Sequence, residues 1–409
     1  MQSVGIIFFT LIVVVVLLHR KIEIGHSMLA GSLVLTALTF SSPLLFLHSF
    51  VMTVRLPNTW EILIALFFVM CLEYQLRTSG LLDEVMAVAR TKSFSDKFLL
   101  AGMPAFLGFL PSLGGALFSA PMVENASRRY AMSPEQKTAV NYWFRHIWEF
   151  ANPIMPGLLL AAQITRIPLS DLIGSLFIYV LVAVLVGWLV CLAGIKELGD
   201  IPPAERLDET GCESVSQRRS RNSVLLTVGP ILLNIFLVVG LNLAASLSMA
   251  IVVVLMTWVL RQNVVDIKAM LRHGLDRKLL WGIGSVLLFQ QVLQDTGVLT
   301  GVVKMLDQFQ ISPLIVAGVL AFSGGILTGT SGGFVALSMP IIVALAPGNI
   351  AAVSVGFVLG IAGQMLSPMH LCFLVTIRYF GADFVRSMRP IAIMEVLMVG
   401  FVLLRYGVF

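Results

Sequence analysis

The chain has 409 residues, 58% of them hydrophobic and only 12% charged, with a mean hydropathy of +0.94. Soluble domains are about 45–50% apolar and about 25% charged, so the composition excludes a soluble globular protein and leaves no length for a soluble domain of any size. The net charge of +5 is what basic loops anchoring a membrane protein produce, so membrane lipid is expected as a partner and nucleic acid is not.

Apolar runs near 20 residues recur from end to end, the pattern of an all-α polytopic membrane protein. The first, "VGIIFFTLIVVVVLL", has no basic segment before it and no small-residue cleavage site after it; His19, Arg20 and Lys21 follow instead. It reads as a first span at 4–18 with its N-terminus outside, rather than a signal peptide. Spans at 26–43 and 59–76 come next. The apolar stretch at 98–123 is different: "LPSLGGALFSAP" carries Pro111, Pro121, Gly114, Gly115 and two serines where a spanning helix should run unbroken. Non-helical backbone at membrane depth is tolerated only where protein buries it or it lines a watery cavity, so this stretch is expected to be a re-entrant hairpin.

A span at 139–163 follows, interrupted in "HIWEFANPIMPG" where Pro153 and Pro156 remove helix donors. After a span at 169–195 comes the one long polar segment, 196–221, read as a cytoplasmic linker. Spans at 222–240, 245–260 and 279–296 lead to a second hairpin-like stretch at 313–345, "LTGTSGGFVALSMP" at its centre. The span at 350–376 is interrupted at Ser367-Pro368, and a last span covers 390–405. With both hairpins re-entrant, twenty-two of the 27 Lys and Arg residues fall on the cytoplasmic side, and both termini lie outside. If either stretch crossed fully, every later loop would change sides and that bias would collapse.

The halves flanking the linker match. "LLAGMPAFLGFLPSLGGALFSAP" (99–121) aligns with "IVAGVLAFSGGILTGTSGGFVALSMP" (315–340), pairing Gly108 with Gly324 and Gly114-Gly115 with Gly332-Gly333. "LEYQLRTSG" ending at Gly80 aligns with "FQQVLQDTG" ending at Gly297, and "EFANP" (149–153) with "QMLSP" (364–368). The charge count sets the halves in opposite orientations. The expected organisation is two inverted repeats, 1–195 and 222–409, of about ten transmembrane helices plus two hairpins. The broken helices meet at the midplane, as in secondary transporters. Close packing by glycine and serine explains one such stretch, but not two that are matched and inverted.

"PSLGGALFSAPMVENA", "HIWEFANPIMPG" and "GTSGGFVALSMPII" resemble motifs of the ion transporter superfamily. That group includes gluconate-type permeases and divalent anion/sodium symporters, and the nearest resemblance is to the integral membrane family "domain of unknown function 401". The resemblance implies a dimerising scaffold domain, hence a homodimer, and a transport domain that moves like an elevator. It also implies a bacterial or archaeal plasma (inner) membrane. Related hairpin tips often read Ser-Asn-Thr; here they read Ser112-Leu113-Gly114 and Thr330-Ser331-Gly332, and asparagine stands instead at Asn152.

Four sets of exposed helix ends at the midplane suit an anion at N-termini and a cation at C-termini. The candidate substrate contacts are Ser112, Gly114 and Gly115 at the first tip and Thr330, Ser331, Gly332 and Gly333 at the second. The breaks add Asn152, Pro153, Ser367 and Pro368. Glu149, an intramembrane carboxylate one turn before Asn152-Pro153, is the leading group for a coupling proton or cation. Its alternative is an ion pair with Arg145 on the same helix face. Gln364 is the repeat partner of Glu149, and Asn152 and His146 complete the coupling set. His146 and His370 lie in the two broken spans, where a lone histidine is more often a satisfied hydrogen-bonding residue. Glu73, Gln290 and Gln291 precede the hairpins at matched positions, lining the cavity or bonding across helices. Glu395 is read as structurally paired. The four cysteines, Cys71, Cys191, Cys212 and Cys372, show no paired spacing and are read as neither disulfide nor metal site.

The leading function is a secondary active transporter for a small anionic solute, an organic carboxylate in the first instance, coupled to protons or sodium. No resident cofactor is expected; Na+ at the hairpin tips or H+ would be the coupling ion. The alternative is a cation/proton antiporter using Glu149. The Walker A pattern is absent, which argues against primary pumping; no cluster of His or acids at the interface points to an enzyme, and no ring-forming filter motif points to a channel.

Overall fold

The computed structural model describes residues 2–20, 22–81, 96–109, 115–198, 225–308 and 312–407. Among them every regular element is helical and no strand occurs. The first half contains α1 (Gln2–His19), α2 (Ile24–Leu38), α3 (Pro43–Arg55), α4 (Pro57–Thr78), α5 (Asp96–Gly108) and α6 (Gly115–Ser127). It continues with α7 (Pro134–His146), a 3-10 turn (Ile147–Phe150), α8 (Pro156–Thr165) and α9 (Leu169–Gly187), the last extended by a π turn through Leu192. The second half contains α10 (Leu225–Gly240), α11 (Ala245–Val259), α12 (Val264–Gly274), α13 (Arg277–Asp295) and α14 (Val298–Gln308). It ends with α15 (Pro313–Thr328), α16 (Ser331–Leu345), α17 (Ile350–Met365), α18 (Leu371–Phe380) and α19 (Phe384–Tyr406).

Among the described residues three helices are each long and apolar enough to cross a membrane: Pro57–Thr78, Leu169–Leu192 and Phe384–Tyr406. Of the remaining expected spans, 279–296 falls on the single 19-residue helix α13, and the others on shorter apolar helices or on two short helices in series. Large apolar side chains face outward, among them Phe8, Leu44, Trp258, Val396 and Leu404, the exterior expected of a chain solvated by lipid. The interior holds Tyr142, Tyr179, Phe144, Phe334, Phe357 and Phe373, all fully buried.

Local chemistry sets the boundaries. Ser133 caps α7 in a capping box with Gln136, with Pro134 at the first helical position. Burial is not needed to place this terminus, because the cap satisfies two of the orphan donors. Outside the span, Glu135 in the first turn lies well placed against those free N–H groups, and hydrogen bonding to Ser133 holds its carboxyl below the usual carboxylate range. Asn349 caps α17 without a reciprocal bond, accepting from Ala351 N and Ala352 N.

Element boundaries recur along the chain. Helix α8 starts at Pro156 and ends at left-handed Arg166; α18 starts at Leu371 and ends at left-handed Gly381. Helices α9 and α19 start at Leu169 and Phe384. Each of these second-half boundaries lies 215 positions after its first-half counterpart. Further upstream, α4 and α13 both end two residues before a left-handed glycine, Gly80 and Gly297. Packing is reciprocal: α13 packs on α2 as α11 packs on α4, and α12 packs on α4 as α3 packs on α13.

Among the described residues three helices fall outside the expected spans, α3, α12 and α14. All are short, and α12 and α14 are strongly amphipathic, with Val264 and Val265 of α12 exposed. The segment 196–221, expected as a linker, lies outside the described residues from 199 onward. Its start, Lys196–Leu198, hydrogen-bonds Arg129 and Ala131.

Candidate functional site

The two breaks are built alike. In the first, Asn152 Nδ2 donates to the carbonyl of Phe109 at the end of α5 (2.7 Å), and Asn152 Oδ1 accepts from Ile154 N (3.3 Å). In the second, Ser367 Oγ donates to the carbonyl of Ile326 near the end of α15 (2.6 Å) and accepts from Met369 N (3.2 Å). Each residue precedes a proline, which biases it away from helical conformation and frees its side chain to bond the loop. Each therefore ties its own break to the first helix of the neighbouring helix pair.

Glycine makes both contacts possible. A Cβ on Gly108 would strike the carbonyl of Arg145, and one on Gly325 would strike the carbonyl of Gly360 and the amide of Gln364. Backbone therefore lies against backbone at both crossings. The second-half contact belongs to Gly325, one position beyond the Gly324 that alignment pairs with Gly108.

Glu149 lies on the 3-10 turn, nearly buried, and receives two hydrogen bonds from Gln364 Nε2, to Oε1 (2.9 Å) and Oε2 (3.0 Å). The carboxylate of one half is thus held by its own repeat partner in the other. Gln364 Oε1 is buried with no hydrogen-bond partner among the described residues. Arg145, one turn earlier, directs Nη1 to the carbonyl of Leu107 (3.3 Å).

The two histidines meet. His146 Nδ1 lies 2.7 Å from the carbonyl of Tyr142, His370 Nδ1 lies 2.8 Å from the carbonyl of Gly329, and the two Nε2 atoms are 3.0 Å apart. The Tyr142 ring packs edge-on against both imidazoles. His146 Nε2 is 3.8 Å from Glu149 Oε1. Donor atoms of His146, His370 and Cys372 all lie within 4.8 Å of one another. Both histidines are hydrogen-bonded, as expected of histidines in a bundle, but neither is alone, because the helix breaks bring one from each half to a single point.

The second tip sits against both breaks. Gly329, left-handed at φ +63, lies against Met369 and His370, with Ser367 Oγ beside it. Thr330 caps α16 by accepting from Gly333 N (3.2 Å), and Ser331 abuts Gly157 at the start of α8. Gly332 has open space where a side chain would be, and Pro153 is buried while Pro368 is exposed. Ser112 and Gly114 lie outside the described residues; Gly115 opens α6.

Other expected residues are elsewhere. Glu73 pairs with Arg77 (3.2 Å) and with His273 (2.9 Å). Gln290 and Gln291 line a separate, open pocket with Gln163, Gln294 and Arg166. Glu395 is a correction: buried in α19, it has no hydrogen bond or ion pair among the described residues. It faces a small cavity that also touches His146 and Trp143. The expected structural partner is not found among the described residues, where the wall facing Glu395 is mostly apolar, from Ile361, Met365 and Ala183. Tyr142 escaped the sequence reading, and Cys372 was given no site role there. The signal was present in the alignment, where Cys372 and His370 stand opposite Gly157 and Met155.

A family model described as "Protein of unknown function (DUF401)" matches residues 1–409. Comparison with curated proteins gives no match.

Proposed function

The chain belongs to the DUF401 family, and from the geometry of its two helix breaks we propose that it is a secondary active transporter of a small anionic solute. An organic carboxylate is the first candidate, moved with a coupling proton or sodium ion. The observation that carries this reading is the pair of equivalent breaks, Asn152 on Phe109 and Ser367 on Ile326, each fixed to the adjoining helix pair. Breaks of this kind are tolerated at membrane depth only where protein buries them or they line a watery cavity, and paired breaks at a repeat interface are where secondary transporters hold their solutes.

In this reading the halves 1–195 and 222–409 are inverted repeats, and 98–123 and 313–345 are re-entrant hairpins. The recurring boundaries and the reciprocal helix packing support that organisation. The second tip, with Thr330, Ser331, Gly332 and Gly333, offers the N-terminus of α16, whose free N–H groups favour an anion. Glu149, with the unpartnered Gln364 Oε1 beside it, supplies oxygen ligands for the coupling cation. The moving part is an elevator-type transport domain containing both hairpins and both breaks, carried on a dimeric scaffold. Both termini lie outside a bacterial or archaeal inner membrane.

The test is reconstitution in liposomes with solid-supported membrane currents, scanning a panel of carboxylates with a sodium or a pH gradient in turn. A transient current that requires one anion and one cation together is the expected result. Silence with every anion, combined with a response to sodium or pH alone, would replace this reading with a cation/proton antiporter centred on Glu149.

A further inference from the structure

We propose that His146, His370 and Cys372 form a binding site for a divalent transition metal ion of the Zn2+ class. The site lies at the point where the two broken helices meet. The argument begins with hydrogen positions. A backbone carbonyl can only accept, so the contacts of both Nδ1 atoms with the carbonyls of Tyr142 and Gly329 place the ring proton on Nδ1 in each histidine. Each neutral ring then presents its Nε2 lone pair, and the two lone pairs face each other across 3.0 Å. Two acceptors at that distance repel unless a cation lies between them.

The surroundings fit a metal. A ligating histidine characteristically anchors its second nitrogen on a carbonyl or carboxylate, which fixes tautomer and orientation, and both rings are anchored in that way. The sulfur of Cys372 is the third donor, with all three donor atoms within 4.8 Å of one another. At Zn–N bonds of about 2.0–2.1 Å and Zn–S of about 2.3 Å, donors around a tetrahedral ion stand roughly 3.3–3.8 Å apart, so modest side-chain movement closes the site. Cys372 lies in the first turn of α18, where the free N–H groups favour a thiolate. Glu149 Oε1, 3.8 Å from His146 Nε2, adds a second negative charge and is the fourth ligand within reach. Arg145 donates to the Leu107 carbonyl and also lies against Cys372, so its positive charge neighbours the third donor. Two imidazoles and a thiolate suit Zn2+ and its neighbours, whereas Na+, Mg2+ and Ca2+ take oxygen ligands. Because His146 comes from one half and His370 and Cys372 from the other, a bound ion would clasp the two breaks together.

The experiment uses the full-length protein purified in detergent, stripped with chelator, then titrated with Co2+ as a spectroscopic probe and with Zn2+ in competition. Expected are one equivalent per chain, a tetrahedral cobalt spectrum and a thiolate-to-cobalt charge-transfer band, all displaced by Zn2+. Cys372→Ser should lose the charge-transfer band, and His146→Gln or His370→Gln should weaken binding by about tenfold or more. Size-exclusion profiles of the apo variants check that they remain folded, and Cys372→Ser, nearly isosteric, keeps the test open if a histidine variant does not. Absence of saturable binding near one equivalent overturns the proposal, as does a charge-transfer band retained in Cys372→Ser. Neither outcome involves transport, so failure here leaves the transport reading standing.

Discussion

The break at 151–155 and the break at 366–370 share a backbone design and differ in chemistry. Asn152 and Ser367 make equivalent bonds, to Phe109 and to Ile326, and Gly108 and Gly325 make equivalent close crossings. Yet the first break carries Arg145, His146 and Glu149, where the second carries Gly360, Ile361 and Gln364. The second carries His370 and Cys372 where the first has Met155 and Gly157. Neither half holds a complete polar set. Glu149 reaches Gln364, and His146 reaches His370, only because the halves face each other. The duplicated backbone thus provides two similar frames, and divergence of side chains has built one asymmetric centre between them.

The comparison breaks most severely at the glycines. Gly325→Ala and Gly108→Ala each drive a methyl group into a carbonyl of the facing helix, which no rotamer change can relieve. Each is expected to cost about 3 kcal/mol, the upper end of overpacking, and to lower the unfolding temperature in detergent by similar amounts. Gly332→Ala, with open space around it, should stay within about 1 kcal/mol of the parent. If Gly108→Ala were tolerated while Gly325→Ala was not, the two crossings would not be equivalent.

The carboxylate is the next point of difference. Glu149→Gln keeps shape and replaces the charge with the amide found in the other half. The protein should remain folded and lose coupled current by about tenfold or more, roughly 1.4 kcal/mol of coupling. Unchanged coupled current would remove Glu149 from the coupling role. Smaller still are the two side chains that tie the breaks. Asn152→Ala and Ser367→Ala each delete a bond to a main-chain carbonyl and should each cost about 1 kcal/mol, read as a paired shift in unfolding temperature. A shift from only one of them would mean that only one break depends on its tie.

Much of this arrangement could be read from the sequence. Pro153, Pro156 and Pro368 mark both breaks, because proline cannot donate and disturbs the residue before it. The matched strings ending at Gly80 and Gly297 mark helix ends where a left-handed residue is required. Glu149 and Gln364 stood out as partners in alignment, though not as partners in contact. What escaped was the set that depends on three-dimensional approach. Cys372 looked like an ordinary apolar-span cysteine, and His370 like a solitary histidine. The glycine crossing shifted by one residue, because the helix phase around Gly324 and Gly325 decides which of two adjacent glycines meets the facing backbone. The spans at 139–163 and 350–376 each resolve into two short helices, as their prolines predict, and the span expected at 26–43 is shorter because α2 ends at Leu38.

The smallest expected effect concerns the ends of α8 and α18, and it should have opposite signs in the two halves. Both helices end in left-handed backbone, at Arg166 with φ +57 and at Gly381 with φ +63. Glycine adopts that conformation without a Cβ penalty, whereas an arginine there carries strain of about 1 kcal/mol. Gly381→Ala should therefore destabilise by about 1 kcal/mol. Arg166→Gly relaxes the strain but gives the unfolded chain more freedom, so a net gain of about 0.5 kcal/mol or less is expected. Unfolding temperatures of the two variants in the same detergent decide the matter. If Arg166→Gly instead destabilised as much as Gly381→Ala, the guanidinium would be holding the glutamine-lined cavity beside Gln163 and Gln290 together. The ends of α8 and α18 would then share a backbone shape without sharing a reason for it.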